Sequence, residues 1–239
     1  MKITPHLSSE RGFVNLGWLK SFHSFSFGSY YNPKKIHFGT LRVLNDDEID
    51  PNNGFGMHPH ENMEIITIPL SGELTHRDNM GNESKIVQGE IQVMSAGTGI
   101  IHSEFNYHKT KKCTLLQIWL FPNRKDVEPR YQQQSIDISS KENVFHQILS
   151  PNKNDDGVWI HQNAWFFLGK FNKTQIVTHY TKKPNNGLYI FVVDGEIVLE
   201  KKIYRKKDAL AIKDCSSISL QVINNAHVLI MDIPMTITD

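Results

Sequence analysis

The amino-acid sequence predicts an all-β protein, a sandwich or barrel, and three observations carry that expectation. Short runs rich in β-branched and aromatic residues recur at 38–44, 64–70, 85–94, 113–121, 164–171, 175–181, 188–204, 217–223 and 227–234, while long helical periodicity is scarce. Turn chemistry separates them: SGE (71–73), DNMGN (78–82) and DGE (194–196) each lie between two strand-like runs and read as hairpin tips. A faint internal repeat matches IPLSGELT (68–75) to FVVDGEIV (191–198), with Gly72 opposite Gly195, so two copies of one β unit are expected.

At 239 residues the chain has room for one large β domain or for two units of about 110 to 120 residues, each able to bury its own core, and length alone does not choose. The polar segment PNRKDVEPRYQQQSIDISSKEN (122–143) divides the chain near its middle and reads as the connection. The expected domains are therefore 1–130 and 131–239.

Charge is nearly balanced at +1 with histidine neutral, and no Lys/Arg run is interleaved with aromatics, which argues against a nucleic-acid partner. The start MKITPHLSSERGF has no apolar core after its lysine, and no segment approaches the roughly 18 uninterrupted apolar residues of a membrane helix. A soluble, cytoplasmic protein, monomeric by default, is expected. Cys113 and Cys215 lie far apart and outside any C-x-x-C pair, so they read as small buried hydrophobes rather than a disulfide or zinc ribbon.

The segment GFGMHPHENMEIITIPLSGEL (54–74) places His58, His60 and Glu64 at even spacing, and in one extended strand these would share a face with Ile66 and Ile68. With twelve histidines in the chain, about 0.6 H-x-H patterns arise by chance, so the pair needs partners. They follow in GEIQVMSAGTGIIHSEFN (89–106), where a glycine-rich turn (Gly97, Gly99) leads to His102 and Glu104, again on one strand face. Neutral imidazoles and a carboxylate suit a divalent first-row metal, and alternate positions on paired strands converge without bending the backbone. Three imidazoles and one carboxylate leave positions open on an octahedral ion for substrate or dioxygen. Spacing does not choose between Glu64 and Glu104 as the carboxylate ligand. Phe55, Phe105 and Trp119 lie near these motifs, but aromatics on strands more often fill core, and they are left out of the site.

HPHENMEI (58–65) together with GEIQVMSAGTGIIHSEFN resembles the two signature motifs of the pirin branch of the cupin superfamily. The segments 11–49, SGELTHRDNMGN (71–82), LLQIWLFP (115–122) and PRYQQQ (129–134) resemble the shorter bacterial pirin-like proteins, some of them quercetin 2,3-dioxygenases. The resemblance spans nearly the whole chain and is strongest over 11–134. It implies a bicupin: two face-to-face β-sandwich barrels of double-stranded β-helix type, with one mononuclear metal in the N-terminal barrel. By motif position the ligands carry over as His58, His60, His102 and Glu104, which leaves Glu64 as a supporting or cavity group and a second choice of base. Asn106 also resembles a cupin position.

The second half departs from a metal-binding pattern. The Gly72–Gly195 offset puts Thr181 and Lys183 opposite His58 and His60, and a looser alignment puts Gln221 and Ile223 opposite His102 and Glu104. A metal-free, structural C-terminal barrel is expected, with His146, His161, His179 and His227 as ordinary packing or surface residues.

The activity that the resemblance implies is opening of the central ring of a flavonol such as quercetin by dioxygen, with loss of carbon monoxide. The cofactor implied is one divalent ion, iron(II) first, with manganese, cobalt, nickel, copper, zinc or cadmium able to occupy the site in purified material. Glu104 would serve as both ligand and base. The competing expectation is a redox-sensing regulator, in which the metal alters binding to a transcription factor or an enzyme, and a third is a closed, purely structural metal.

Overall fold

The computed structural model describes residues 1–136 and 142–237. Its strands in the first half are β1 (Lys2–His6), β2 (Gly12–Asn15), β3 (Leu19–His23), β4 (Leu41–Ile49), β5 (Asn53–His60), β6 (Glu64–Ser71), β7 (Glu73–Asp78), β8 (Glu83–Val87), β9 (Glu90–Ser95), β10 (Ile100–Asn106), β11 (Cys113–Leu120) and β12 (Arg130–Ser135). The second half adds β13 (Phe145–Ser150), β14 (Val158–Trp159), β15 (Trp165–Phe171), β16 (Gln175–Tyr180), β17 (Asn186–Asp194), β18 (Glu196–Leu199), β19 (Lys202–Arg205), β20 (Ala209–Lys213), β21 (Ser217–Val222) and β22 (Ala226–Pro234). Among the described residues the one helical element is a single 3₁₀ turn, Ser8–Glu10, and no helix is long and apolar enough to cross a membrane.

Each half is a sandwich of a seven-stranded and a four-stranded sheet. The first pairs β12-β9-β6-β11-β4-β3-β2 with β5-β10-β7-β8, and the second pairs β1-β20-β17-β22-β15-β13-β14 with β16-β21-β18-β19. The faint repeat is thus a duplication of architecture, with β5 to β11 answered in order by β16 to β22.

Strand alternation explains how the halves meet. On β11, Leu116, Ile118 and Leu120 point away from their own barrel, as do Ile66 and Ile68 on β6. Across the junction they meet Tyr189, Phe191 and Val193 of β17 and Leu229, Met231 and Ile233 of β22, so the two large sheets stack face to face over one shared apolar core. The intervening residues turn inward and fill the barrels differently. The second barrel holds a continuous apolar cluster that includes Trp165, Phe167, Leu188, Ile190, Val192 and Ile230. In the first, two small apolar clusters, around Leu74 and Leu115 and around Ile65 and Met94, flank buried polar side chains such as Thr67, His76, Gln92, Glu104 and Gln117.

Two of the three expected hairpin tips are something else. Asp78–Asn82 does join the paired strands β7 and β8. At Gly72 and Gly195, however, the chain leaves a large sheet for the small one: β6 pairs with β9 and β11, and β7 with β8 and β10. These corners need glycine twice over. Their φ values are +73° and +75°, and a Cβ would stand 2.6 Å from the Lys112 carbonyl oxygen at Gly72 and 2.8 Å from Ala226 at Gly195.

Strand pairing also crosses the division expected at 130/131. β1 precedes the first barrel yet pairs with β20 of the second, from Lys2 opposite Lys213 to His6 opposite Ala209. β12 lies inside the segment expected to be a bare connection, yet its backbone completes the ladder of β9, from Arg130 opposite Ser95 to Ser135 opposite Glu90. The rest of that segment includes 137–141, which fall outside the described residues.

Candidate metal centre

His58 and His60 leave β5 on its inward face, and β10 pairs with β5 so that His102 lies directly opposite His58. One nitrogen from each of the three rings lies within 4.8 Å of the others, and among the described residues this is the group of three His, Cys, Asp or Glu side chains able to hold an ion. Ring centroids are 4.8 Å apart for His58 and His60, 4.4 Å for His58 and His102, and 4.9 Å for His60 and His102.

Hydrogen bonds set which nitrogens face inward. His58 Nδ1 donates to the Gly56 carbonyl at 2.7 Å, leaving its Nε2 as an acceptor. His102 is buried, and its Nε2 has no partner. Burial, joined by neighbouring His102 and His58, lowers the His60 pKa to about 4. Burial, with His58 and His76 beside it, takes His102 to about 3. Imidazoles held neutral, one of them with an orphaned nitrogen inside a barrel, fit a divalent ion; an unpaired buried polar atom is otherwise costly.

Glu104 follows His102 on the inward face of β10, past an irregularity in the β5 pairing between the two. Its carboxylate accepts from Gln117 Nε2 at 3.1 and 3.0 Å and from the Thr67 hydroxyl at 3.3 Å, and it stands outside the three-histidine group. Asp47, whose pKa is raised to about 7 by burial with Glu104 adding to the effect, shares this interior, as does the thiol of Cys113, which burial pushes up to about 12.

Glu64 is not brought to the histidines. The chain breaks between β5 and β6 with Asn62 at φ +47°, so the extended run expected from His58 to Ile68 is two strands in different sheets. Glu64 alternates with Ile66 and Ile68 and therefore faces the seam between the halves, where Ser95 Oγ donates to it at 2.7 Å. Burial raises its pKa to about 7, opposed by that hydrogen bond and by Arg130. Asn106 is structural: its amide donates to the carbonyls of Ile49, Asp50 and Lys111.

Trp119, set aside on sequence, meets His60 edge to face at 4.8 Å, with its indole nitrogen buried and unpartnered. Phe55 packs between Trp18 and His58, and Phe105 stacks on Tyr107. His76 and Asp78 were missed. The alternation Leu74, His76, Asp78 was their signal, since all three are buried. A groove of about 980 Å³ lies elsewhere, at the junction of the halves between Asp46, Glu48, Lys170 and Lys207. Its lining includes none of the three histidines, so donor chemistry rather than volume locates this site.

In the second barrel the pairing register corrects the expected correspondence. Phe105 lies opposite Thr75 as Gln221 lies opposite Val198, which puts Ile218 and Leu220 at the places of His102 and Glu104. His179 lies opposite Ile218, the place of His58, and Thr181 bonds Ser216 where His60 would be. Ile218 and Leu220 belong to the apolar interior, and the His179 ring packs on Phe167 at 4.7 Å. His227 is on β22 and His146 on β13, while the His161 backbone reaches Glu64 across the seam.

Comparison with known proteins agrees with this architecture. Residues 6–120 match the Pirin family, and residues 147–233 match the quercetinase C-terminal cupin domain. A protein of Escherichia coli K12 named quercetin 2,3-dioxygenase is 39% identical over 227 residues, covering 95% of this chain and 96% of its own. A pirin-like protein of Caulobacter vibrioides is 35% identical, over 92% of this chain and 95% of its own. The crystal structure of the bacterial pirin YhhW from E. coli in complex with nickel(II) superposes with a TM-score of 0.92 at 37% identity, covering 98% of this chain and 99% of that one. Two cupin domains, a three-histidine site for a divalent metal and near full-length similarity place this chain in the pirin family of the cupin superfamily.

Proposed function

We propose that this protein is a metal-dependent dioxygenase that opens the central ring of flavonols such as quercetin with dioxygen and releases carbon monoxide, acting as a cytoplasmic monomer. The observation that carries this reading is the convergence of His58, His60 and His102, with the His102 Nε2 unpartnered inside the barrel. The full-length relative named quercetin 2,3-dioxygenase supports it.

Glu104 is the fourth ligand in this proposal. Its carboxylate stands two residues beyond His102 on the inward face of β10, and turning from Gln117 would bring it toward the imidazoles. A divalent ion, iron(II) in this reading, supplies Lewis acidity when bound, and with three neutral imidazoles and one carboxylate the site keeps a charge of +1 that favours an anionic oxygen. Glu104 accepts the proton of the flavonol 3-hydroxyl, and Gln117 and Thr67 hold its carboxylate between these tasks. Trp119 walls the His60 side with a flat apolar surface suited to an aromatic substrate.

The test is to incubate metal-loaded protein with quercetin in air, following loss of flavonol absorbance and release of carbon monoxide against an anaerobic control. Absence of turnover with iron, manganese, cobalt, nickel and copper alike refutes the proposal. It would favour the regulatory reading, in which the metal tunes binding to a transcription factor or enzyme. Met57, 58% exposed, and Ile101, 43% exposed, on the ligand-bearing strands give that reading an apolar surface beside the site.

A further inference from the structure

Behind His102 lies a chain of hydrogen bonds that ends in a turn. His102 Nδ1 is 3.4 Å from His76 Nδ1, and His76 Nε2 is 2.9 Å from Asp78 Oδ2. All three residues are buried. The Asp78 carboxylate is itself fixed by its own hairpin: the amides of Met80 and Asn82 donate to Oδ1 at 2.9 and 3.0 Å, and the Asn82 side chain donates to Oδ2 at 2.8 Å. Burial works to raise the Asp78 pKa, but the hydrogen bonds from His76 and Asn82 outweigh it and hold the group below the usual carboxylate range.

The directions of these bonds follow one from another. An ionised carboxylate only accepts, so His76 Nε2 carries a hydrogen. In neutral His76 the other nitrogen, Nδ1, then has a lone pair and accepts, so His102 Nδ1 must donate. The His102 Nε2 is thereby left with its lone pair toward His58 and His60, and it is the nitrogen with no partner. Tyr131 of β12 covers the His76 ring at a centroid distance of 4.7 Å and keeps that ring from turning.

We propose that Asp78 and His76 are positioning residues, which set the tautomer of His102 from the β7–β8 hairpin and so prepare its Nε2 for the metal. This rests on the reading of the three histidines as a metal site and not on the flavonol reaction. Outer partners of this kind typically carry 10- to 100-fold in metal affinity.

Asp78→Asn is the discriminating variant. Its side-chain oxygen can still accept from the turn amides, but its NH₂ can only donate toward His76. His76 would then carry its hydrogen on Nδ1, pushing the His102 hydrogen onto Nε2. His76→Phe removes the acceptor and leaves His102 free to adopt either tautomer. Nickel(II) affinity, measured by chelator competition, is expected to fall 10- to 100-fold in Asp78→Asn and by less in His76→Phe, although Asp78 is the farther of the two along the chain of bonds. A role confined to packing would give the opposite order. Side-chain ¹⁵N NMR of the metal-free wild type gives a readout that needs no variant: His102 should be the Nδ1–H tautomer. An Nε2–H tautomer there, or nickel affinity in Asp78→Asn within twofold of wild type, overturns the proposal. Neither readout uses quercetin, so failure of the dioxygenase reading and failure of this one are separable.

Discussion

Ile66 and Thr67 are neighbours on β6 that face opposite ways, and replacing each in turn separates the two structural tasks of that strand. Ile66 is fully buried in the core shared by the two large sheets. Ile66→Ala removes three carbons there, about 2.4 kcal/mol of transfer free energy at about 0.8 kcal/mol each, and the cavity adds to this, for a total of about 3 to 4 kcal/mol. Thr67 faces the first barrel, where its hydroxyl reaches Glu104 at 3.3 Å and Gln117 at 3.4 Å. Thr67→Val keeps the volume and loses the hydroxyl, leaving Glu104 with the Gln117 amide alone. At about 1 kcal/mol for one hydrogen bond, affinity for nickel should change about fivefold while stability changes by about 1 kcal/mol or less. The assay is urea unfolding of metal-free protein together with chelator competition on the folded protein. Ile66→Ala should lower the unfolding midpoint with metal affinity unchanged, and Thr67→Val should shift metal affinity while moving the midpoint far less. If Ile66→Ala shifts metal affinity as much as Thr67→Val does, the alternation argument for β6 and the assignment of its two faces are wrong.

Acid should destabilise the fold through its buried histidines. Burial lowers the pKa of His6, His179 and His227 from 6.5 to about 4. Above pH 6.5 both states are neutral at these groups, and as pH falls from 6.5 to 4 the unfolded chain takes up protons that the native state refuses. Stability should therefore drop across that window and level below it, by up to about 3 kcal/mol for a fully excluded ring, and His179→Leu should flatten the slope in urea titrations run at several pH values. Gly72→Ala should cost about 2 kcal/mol or more, because φ is +73° and the Lys112 carbonyl occupies the space, whereas Gly56→Ala meets nothing within 4 Å and should be near neutral in the same unfolding assay. Stripping the ion with a chelator should lower the thermal midpoint of loaded protein, since saturation at about 100 times Kd contributes about 2.7 kcal/mol. An unchanged midpoint would mean that the folded and unfolded chains bind the ion alike.

The all-β class, the duplication and the convergence of His58, His60 and His102 were legible because each depends on local alternation: Ile65 to Ile68, Leu115 to Leu120 and Leu188 to Val193 announce two-sided strands, and H-x-H and H-x-E mark inward positions. What failed was long-range. A glycine with positive φ looks the same whether it closes a hairpin, as the expectation had it, or carries the chain between sheets, as at Gly72 and Gly195. Nothing local tells β1 that its partner is β20, or marks β12 as part of the first sheet. Glu64 misled because spacing was counted through the break at Asn62, where alternation restarts in another sheet. The second barrel was aligned by a fixed offset, and only the strand register shows His179 standing where His58 does.

The pairing of β1 with β20 gives this protein an order of assembly. A ribosome delivers the Lys2–His6 segment about two hundred residues before its docking edge at Ala209–Lys213, so the segment must wait unpaired while both barrels are being made. It then closes like a latch on a barrel it does not precede in space. Separating the halves at the midpoint would leave the trailing fragment with a bare edge along β20, an invitation to aggregate that β1 removes when the halves stay joined.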